Sequence, residues 1–384
     1  MTAPGGYRIE RVTSVEALGA LRDAWRRLEN EAANRLPFRT YEWASLWWKH
    51  FAENHAGVRD TLEVHALWHA DGTLAAAAPL MLTERPGKGP LRLRMLHFFG
   101  ADPNITELRG PLFHPAHAAT AVQALWGTLV ERTDCDWLDW SGFAPGSPED
   151  PFVENPASAR VLRDIPNYVL SLSDTWDTFR TGLKHNIKES LRKCYNSLKR
   201  DGHDFVFRAL DTPQDIQPAL ERFFELHALR AQQDGTVLHR DVFQAGASRA
   251  FLTEVCNALA ERNVTRVFTL SVGDAIVALR IGFVLQDSVY LYYSGYDPAW
   301  GKYSIMTTVV AETLKWAIAS GLKTANLSTG TDVSKTRWGP TEHLFREARW
   351  VQPSLRGRLA HGTYQRLQAL KQNPRLRSLL ARRR

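Results

Sequence analysis

The run Val267-Phe268-Thr269-Leu270-Ser271-Val272-Gly273-Asp274-Ala275-Ile276-Val277-Ala278-Leu279-Arg280-Ile281-Gly282-Phe283 decides the fold. Two apolar segments flank Gly273-Asp274, the composition of an antiparallel hairpin. A third strand is expected over Ser288 to Ser294, then a long helix from about Lys302 to Ala319 that stops at Gly321, then a strand from Thr324 to Leu327. A meander followed by a helix and a strand makes an α/β (α+β) unit. It sets the first turn of that helix beside the end of the preceding strand.

The same plan occurs earlier. Leu62 to Trp68 and Leu74 to Leu82 flank Asp71-Gly72, and the two hairpins align without a gap: Val64 with Val267, Leu67 with Leu270, Asp71 with Asp274, Ala75 with Ala278. The constant offset points to an internal duplication. A strand over Leu93 to Phe99, a helix from about Ala118 to Glu131 and a strand at Trp137 to Trp140 follow the first hairpin. Upstream, a helix capped by Ser14 runs to about Ala32, and Tyr41 to Phe51 is a helix whose Trp43, Trp47 and Trp48 fit a core stripe. Upstream of the second hairpin lie a strand near Tyr168 to Ser171, a basic helix from about Thr175 to Arg200, a strand at Phe205 to Ala209, and helices after Pro213 and Asp241.

With 384 residues the chain exceeds one ordinary core. The turn-rich segment from Ala144 to Pro151 divides it into domains 1–150 and 151–353, followed by a tail, 354–384. Of the 48 Lys and Arg residues nine lie in that tail, which has no Asp or Glu, so 39 remain against 41 acids elsewhere. The +7 net charge is therefore a property of the tail, which fits either an anionic membrane surface or a solvated helix. A second basic stripe, Arg180, Lys184, Lys188 and Arg192, suits a phosphate or solvent.

Three scattered cysteines, the absence of a signal-like N-terminus and the absence of a long apolar run predict a cytoplasmic chain, peripheral at most to the inner membrane face, without structural zinc or another metal. No phosphate-binding Walker loop, Rossmann fingerprint, HExxH helix or GxSxG elbow appears. Nucleotide hydrolysis, redox chemistry and serine hydrolysis therefore lack support.

Gly295 to Met306, reading Gly-Tyr-Asp-Pro-Ala-Trp-Gly-Lys-Tyr-Ser-Ile-Met, joins strand end to helix start. Amides of the first helical turn with Lys302 and Ser304 can face a diphosphate there. Arg280 is a charge inside an apolar strand and needs an anionic partner, from a ligand or from the protein.

The segments Pro37-Phe38-Arg39-Thr40-Tyr41-Glu42-Trp43, His227-Ala228-Leu229-Arg230, Tyr290-Leu291-Tyr292-Tyr293-Ser294-Gly295-Tyr296-Asp297-Pro298 and Gly330-Thr331-Asp332-Val333-Ser334-Lys335 together resemble the GNAT-like acyltransferases of the cellulose-biosynthesis CelD type, which are related to the Fem-type aminoacyl transferases. The resemblance spans about Ser14 to Trp338. It implies two tandem GNAT-like domains with mixed, largely antiparallel sheets flanked by helices, the second one catalytic. It implies acyl-CoA, acetyl-CoA or longer, as co-substrate and a small-molecule or glycan acceptor, such as a polysaccharide precursor. The Fem-type alternative takes aminoacyl-tRNA, and a noncatalytic binding module is a third reading.

In such chemistry the donor arm pairs with the strand from Tyr290 to Gly295, amides near Ser294 stabilise the oxyanion, and Tyr293 or Tyr303 protonates the leaving thiolate. Asp332 or His227 is the candidate base. Gly301 lies with Lys302 and Ser304 on the diphosphate side, while Arg230, Arg280, Lys335 and Trp338 are candidates for the acceptor pocket. The family commonly has Pro-Gly where this chain has Ile305-Met306, so Met306 is expected to crowd the donor.

Overall fold

The computed structural model describes residues 2–3, 6–33, 35–102, 104–232 and 240–372. The first half contributes β1 (Thr2–Ala3), β2 (Tyr7–Val12), α1 (Val15–Ala20), α2 (Arg22–Glu31), α3 (Tyr41–Phe51), β3 (Asn54–His55), β4 (Val58–Trp68), β5 (Leu74–Pro86), β6 (Arg92–Phe98), β7 (Leu112–Phe113), α4 (Ala118–Val130) and β8 (Trp137–Phe143). The second contributes β9 (Arg160–Ser171), α5 (Trp176–Gly182), α6 (His185–Arg200), β10 (Phe205–Leu210), α7 (Pro213–Ala231), α8 (Gly246–Ala260), β11 (Thr265–Val272), β12 (Ala275–Leu285) and β13 (Ser288–Tyr296). It continues with α9 (Ile305–Ala319), β14 (Thr324–Thr329), α10 (Val333–Thr336), β15 (Thr341–Val351) and α11 (Leu355–Gln372).

All strands join one mixed α/β sheet in the order β1-β2-β4-β5-β6-β8-β15-β9-β14-β13-β12-β11-β10, with β3 and β7 on its flanks. Read inward from both ends, the order repeats. An antiparallel meander (β2-β4-β5-β6, or β10-β11-β12-β13) leads to a parallel pair bridged by a helix: β6 with β8 through α4, β13 with β14 through α9. The two hairpins of the sequence offset thus occupy equivalent places. Their turns differ, because Gly273-Asp274 is a two-residue turn, whereas His69 to Thr73 makes a longer one in which Asp71 accepts from the Thr73 amide. The central pair β15 and β9, which run antiparallel, closes the repeat.

Several elements depart from the sequence reading. The first helix breaks at Leu21, and the basic helix breaks at Leu183-Lys184. β2 and β15 have no counterpart in it, and α11 takes the place of the solvated helix expected of the tail. The tail begins as part of the fold: Ala360 is fully buried with Leu93, Met95 and Trp137, Tyr364 and Leu367 pack on them, and Arg356 bonds Asp136 at 3.0 Å. Residues 373–384, which hold the terminal arginines, lie outside the described residues. Among the described residues no helix is long and apolar enough to cross a membrane.

One apolar core joins the halves. Trp43 of α3 meets Phe251 of α8, Phe283 of β12 and Tyr292 of β13 edge to face, the offset geometry that aromatic quadrupoles favour. The opposite face of the second-half sheet is covered by α5, α6 and α9.

Candidate active site

β13 and β14 pair in parallel only from Ser288 to Tyr290 against Thr324 to Asn326. Beyond that point they part. β13 also carries a bulge: Gly282 faces Leu291 and Arg280 faces Ser294, so Tyr292 and Tyr293 stand opposite Ile281 alone. An extra residue bends a strand and leaves main chain unpaired. The edge of residues 291–296 toward β14 is thereby free of ladder bonds.

A cavity of about 250 Å³ lies in this cleft, floored by Ser294 and Leu327 and walled by Met306, Thr307 and Val310 of the first turns of α9. Four cations line it: Arg230 from α7, Arg280 from β12, Lys335 from α10 and Arg337 just after it. Arg230 Nη1 and Arg280 Nη2 both reach Ser294 Oγ, at 3.4 and 3.5 Å. Lys335 Nζ donates to Ser328 Oγ at 3.3 Å and to the Thr329 carbonyl, and Arg337 Nη2 to Thr307 Oγ1 at 2.6 Å.

The buried Nε atoms of Arg280 and Arg337 have no hydrogen-bond partner among the described residues. Burial, followed by the like charge of Arg230, pushes Arg280 down to about 10. It lowers Arg230, Lys335 and Arg337 as well. Converging cations, two of them with an unpartnered Nε, in a partly desolvated cleft form a site for an anion.

The first half builds the other wall. Tyr290, Tyr292 and Tyr293 of β13 donate their hydroxyls to one short stretch of it: to the Glu107 carboxylate, to the Ile105 carbonyl and, at 2.7 Å, to the Asn104 carbonyl. The stretch is fixed by the half-buried Asp102, which accepts from the Ile105 amide at 2.7 Å, from Thr106 Oγ1 at 2.6 Å and from Trp47 Nε1 at 2.9 Å. Glu107 also accepts from Ser328 Oγ at 3.0 Å, and burial holds its carboxyl above the usual range although Lys335 pulls the other way.

The matching cleft of the first half is filled. β6 and β8 pair from Met95 to His97 against Trp137 to Asp139 and then part, but the main chain of Arg109 and Gly110 lies against Ser141 and Gly142. A Cβ on Gly110 would sit 2.6 Å from the Ser141 carbonyl oxygen, and one on Gly142 only 2.1 Å from that of Arg109. The Arg39 guanidinium, from the Pro37-Phe38-Arg39 motif, donates to the Gly142 carbonyl.

Of the residues singled out from sequence, Ser294, Met306, Arg230, Arg280, Lys335 and Trp338 line the cavity together. Trp338 does so while buried in the core under α9. Gly295 packs on α7, where a Cβ would approach Leu226 within 2.9 Å. His227 is buried edge-on against Phe243 and Tyr293, with Nδ1 3.5 Å from the Ser294 carbonyl and Nε2 3.8 Å from Asp241; burial lowers its basicity. Asp332 is exposed and caps α10 through the Ser334 amide.

Tyr303 is tied elsewhere, to Asp201 at 3.0 Å and His203 at 3.1 Å, and the Lys302 ammonium sits over its ring. Gly301 belongs to the same 3-10 turn, and Ser304 caps α9 from the left-handed region at φ 52°. Arg337, Thr307, Ser328 and Glu107 were not singled out in the sequence. Arg337 sits one residue before Trp338 and was within reach of motif reading. Glu107 carried no local signal, since its partners lie in the other half of the chain.

Residues 185–336 match the acetyltransferase (GNAT) domain family. A search among curated proteins found no match. FemX has a similar structure, with TM-score 0.60 and 12% identity over 92% of this chain and 99% of FemX. A conserved protein of unknown function from Bacteroides thetaiotaomicron follows at TM-score 0.52 and 15% identity, covering 90% of this chain and all (100%) of that one. L-PGS from Bacillus licheniformis reaches TM-score 0.50 at 11% identity, over 89% and 96% of the two chains. The chain therefore has a tandem GNAT-type acyltransferase fold.

Proposed function

We propose that the chain moves an acyl group from acyl-CoA to an amine or hydroxyl acceptor, with the donor in the cleft between β13 and β14. Residues 151–353 are then the catalytic unit, and 1–150 a partner that completes it. The four-cation cavity beside the unpaired edge of β13 carries this reading. The residues present suit such a donor: a free strand edge for an amide-bearing arm, and Arg337, Thr307 and the start of α9 for its diphosphate.

The donor supplies the activated thioester. The protein aligns it along β13, keeps water out with Met306, Val310 and Leu327, and offers main-chain amides past the bulge to the developing oxyanion. A saccharide acceptor follows from the CelD-type resemblance of the motifs.

A second reading, aminoacyl transfer from a charged tRNA, is favoured by a cation count above what one diphosphate needs and by the likeness to FemX. Calorimetric titration of the intact protein with acetyl-CoA, longer acyl-CoAs and aminoacyl-tRNA tests both. The acyl-CoA reading expects saturable binding that weakens on Arg280→Ala. Binding of the tRNA alone would replace it with the second.

A further inference from the structure

If the cleft between β13 and β14 is the reaction site, as argued above, its acceptor must lose a proton there. The carboxylates around the cleft differ in what they can do. Asp332 is exposed and spends an oxygen on the Ser334 amide. Glu107 enters where the strands part. Its Oε1 accepts from Ser328 Oγ at 3.0 Å, and the same Oγ lies 3.3 Å from Lys335 Nζ on the cavity wall. The buried Ser328 hydroxyl therefore links Glu107 to Lys335 of the cavity lining.

Ser328 is held in an unusual way. It has φ 74°, a conformation costly for a residue with a Cβ, and its amide is pinned by Asn326 Oδ1 at 2.9 Å. The strain points its hydroxyl at a carboxylate delivered from more than 200 residues earlier in the chain. Tyr290 holds the second oxygen of that carboxylate, and Asp102 holds the segment that carries it. The charged or titratable groups facing Glu107 are Tyr290, Tyr292 and Tyr293 of β13, Arg280 of β12 and Lys335 of α10.

We propose that Glu107, carried by the first half, is the proton acceptor for transfer in the second half, reached through the hydroxyl of Ser328. An ammonium acceptor gives a proton to Ser328 Oγ as the serine proton passes to Glu107. The freed nitrogen pair then bonds to the thioester carbonyl carbon. As the carbon–sulfur bond breaks, the second nitrogen proton ends on the departing thiolate. The proton on Glu107 leaves to solvent, so atoms and charge balance.

The test uses the full chain and follows thiol release from bound acyl-CoA with two acceptors: a primary alkylamine, protonated at neutral pH, and hydroxylamine, which is not. Glu107→Gln is expected to cut the alkylamine rate about 100-fold or more while hydroxylamine transfer and donor affinity stay within about 3-fold. Glu107→Asp should recover part of the loss, and the acid limb of the kcat profile should vanish in Glu107→Gln. Ser328→Gly removes the hydroxyl at a backbone angle that glycine accepts, so it keeps its melting temperature. Its alkylamine defect should not add to that of Glu107→Gln.

Equal loss with both acceptors, or an unchanged acid limb, would overturn the relay and leave the donor cleft standing. A wild-type protein that binds neither acyl-CoA nor aminoacyl-tRNA would overturn the cleft and the relay together.

Discussion

At the scale of single residues, the cleft and its surroundings make opposite demands on charge. Arg280 stands in a strand that is otherwise core, with Ser294 Oγ as its hydrogen-bond partner, so a ligand anion is its natural counter-charge. Arg280→Ala should weaken donor affinity by roughly 10-fold or more, and Lys302→Ala by less than about 2-fold, because Lys302 faces Tyr303 and not the cavity. Calorimetry on the two variants separates them; equal losses would move the site toward the 3-10 turn.

His65 and His97 show the reverse. Burial, reinforced by neighbouring arginines, drives both down from the ordinary histidine range to about 3. Folded values below unfolded ones mean that their stability contribution is complete above about pH 6.5 and fades as the pH falls toward 3. His65 has no hydrogen-bond partner on either ring nitrogen among the described residues. His65→Leu should therefore match the wild type at pH 7 and lose less melting temperature on acidification to pH 4. A parallel decline in thermal melts of both proteins would refute this.

At the scale of elements, α11 is where sequence and structure diverge most. Its stretch shows weak periodicity, and the nine basic residues of segment 354–384 suggest a solvated tail. Yet Ala360, Tyr364 and Leu367 cover Trp137, and Arg356 meets the buried Asp136. Truncation after Pro353 should lower unfolding free energy by about 3 kcal/mol or more, measured by urea melts; an unchanged midpoint would show that the helix is dispensable. β15 was hidden for a related reason, since Thr341-Glu342-His343 and Arg346-Glu347 break its apolar alternation. Arg346 pairs with Asp164 and Glu347 with Arg163 of the neighbouring β9, and Glu347 also with Arg109 of the segment after β6. Where strands were apolar and bounded by turns, as at Val267 to Phe283, their existence and pairing were legible. The cavity was legible in part: Arg230, Arg280, Ser294, Met306, Lys335 and Trp338 come from recognisable motifs, whereas Glu107 and Ser328 acquire meaning only when the halves meet.

At the scale of the whole molecule, the halves share a core. Phe38, Tyr41 and Trp43 belong to the same apolar cluster as Phe251, Phe283, Tyr290 and Tyr292, and β15, late in the chain, pairs with β8 of the first half. Fragments 1–150 and 151–384 should each fail to fold alone and should regain a joint circular-dichroism melt when co-expressed. Independent cooperative melting of either would show separable domains. The closed first-half cleft also bears on stoichiometry. In a duplicated protein with two open clefts, donor binding would follow two-site behaviour, and each half would be free to drift toward its own substrate. Here the segment after β6 blocks one cleft near Gly110 and furnishes Asn104 and Glu107 to the other. Titration should saturate at a single donor per chain, and a change in that segment cannot reopen the first cleft without dismantling the second.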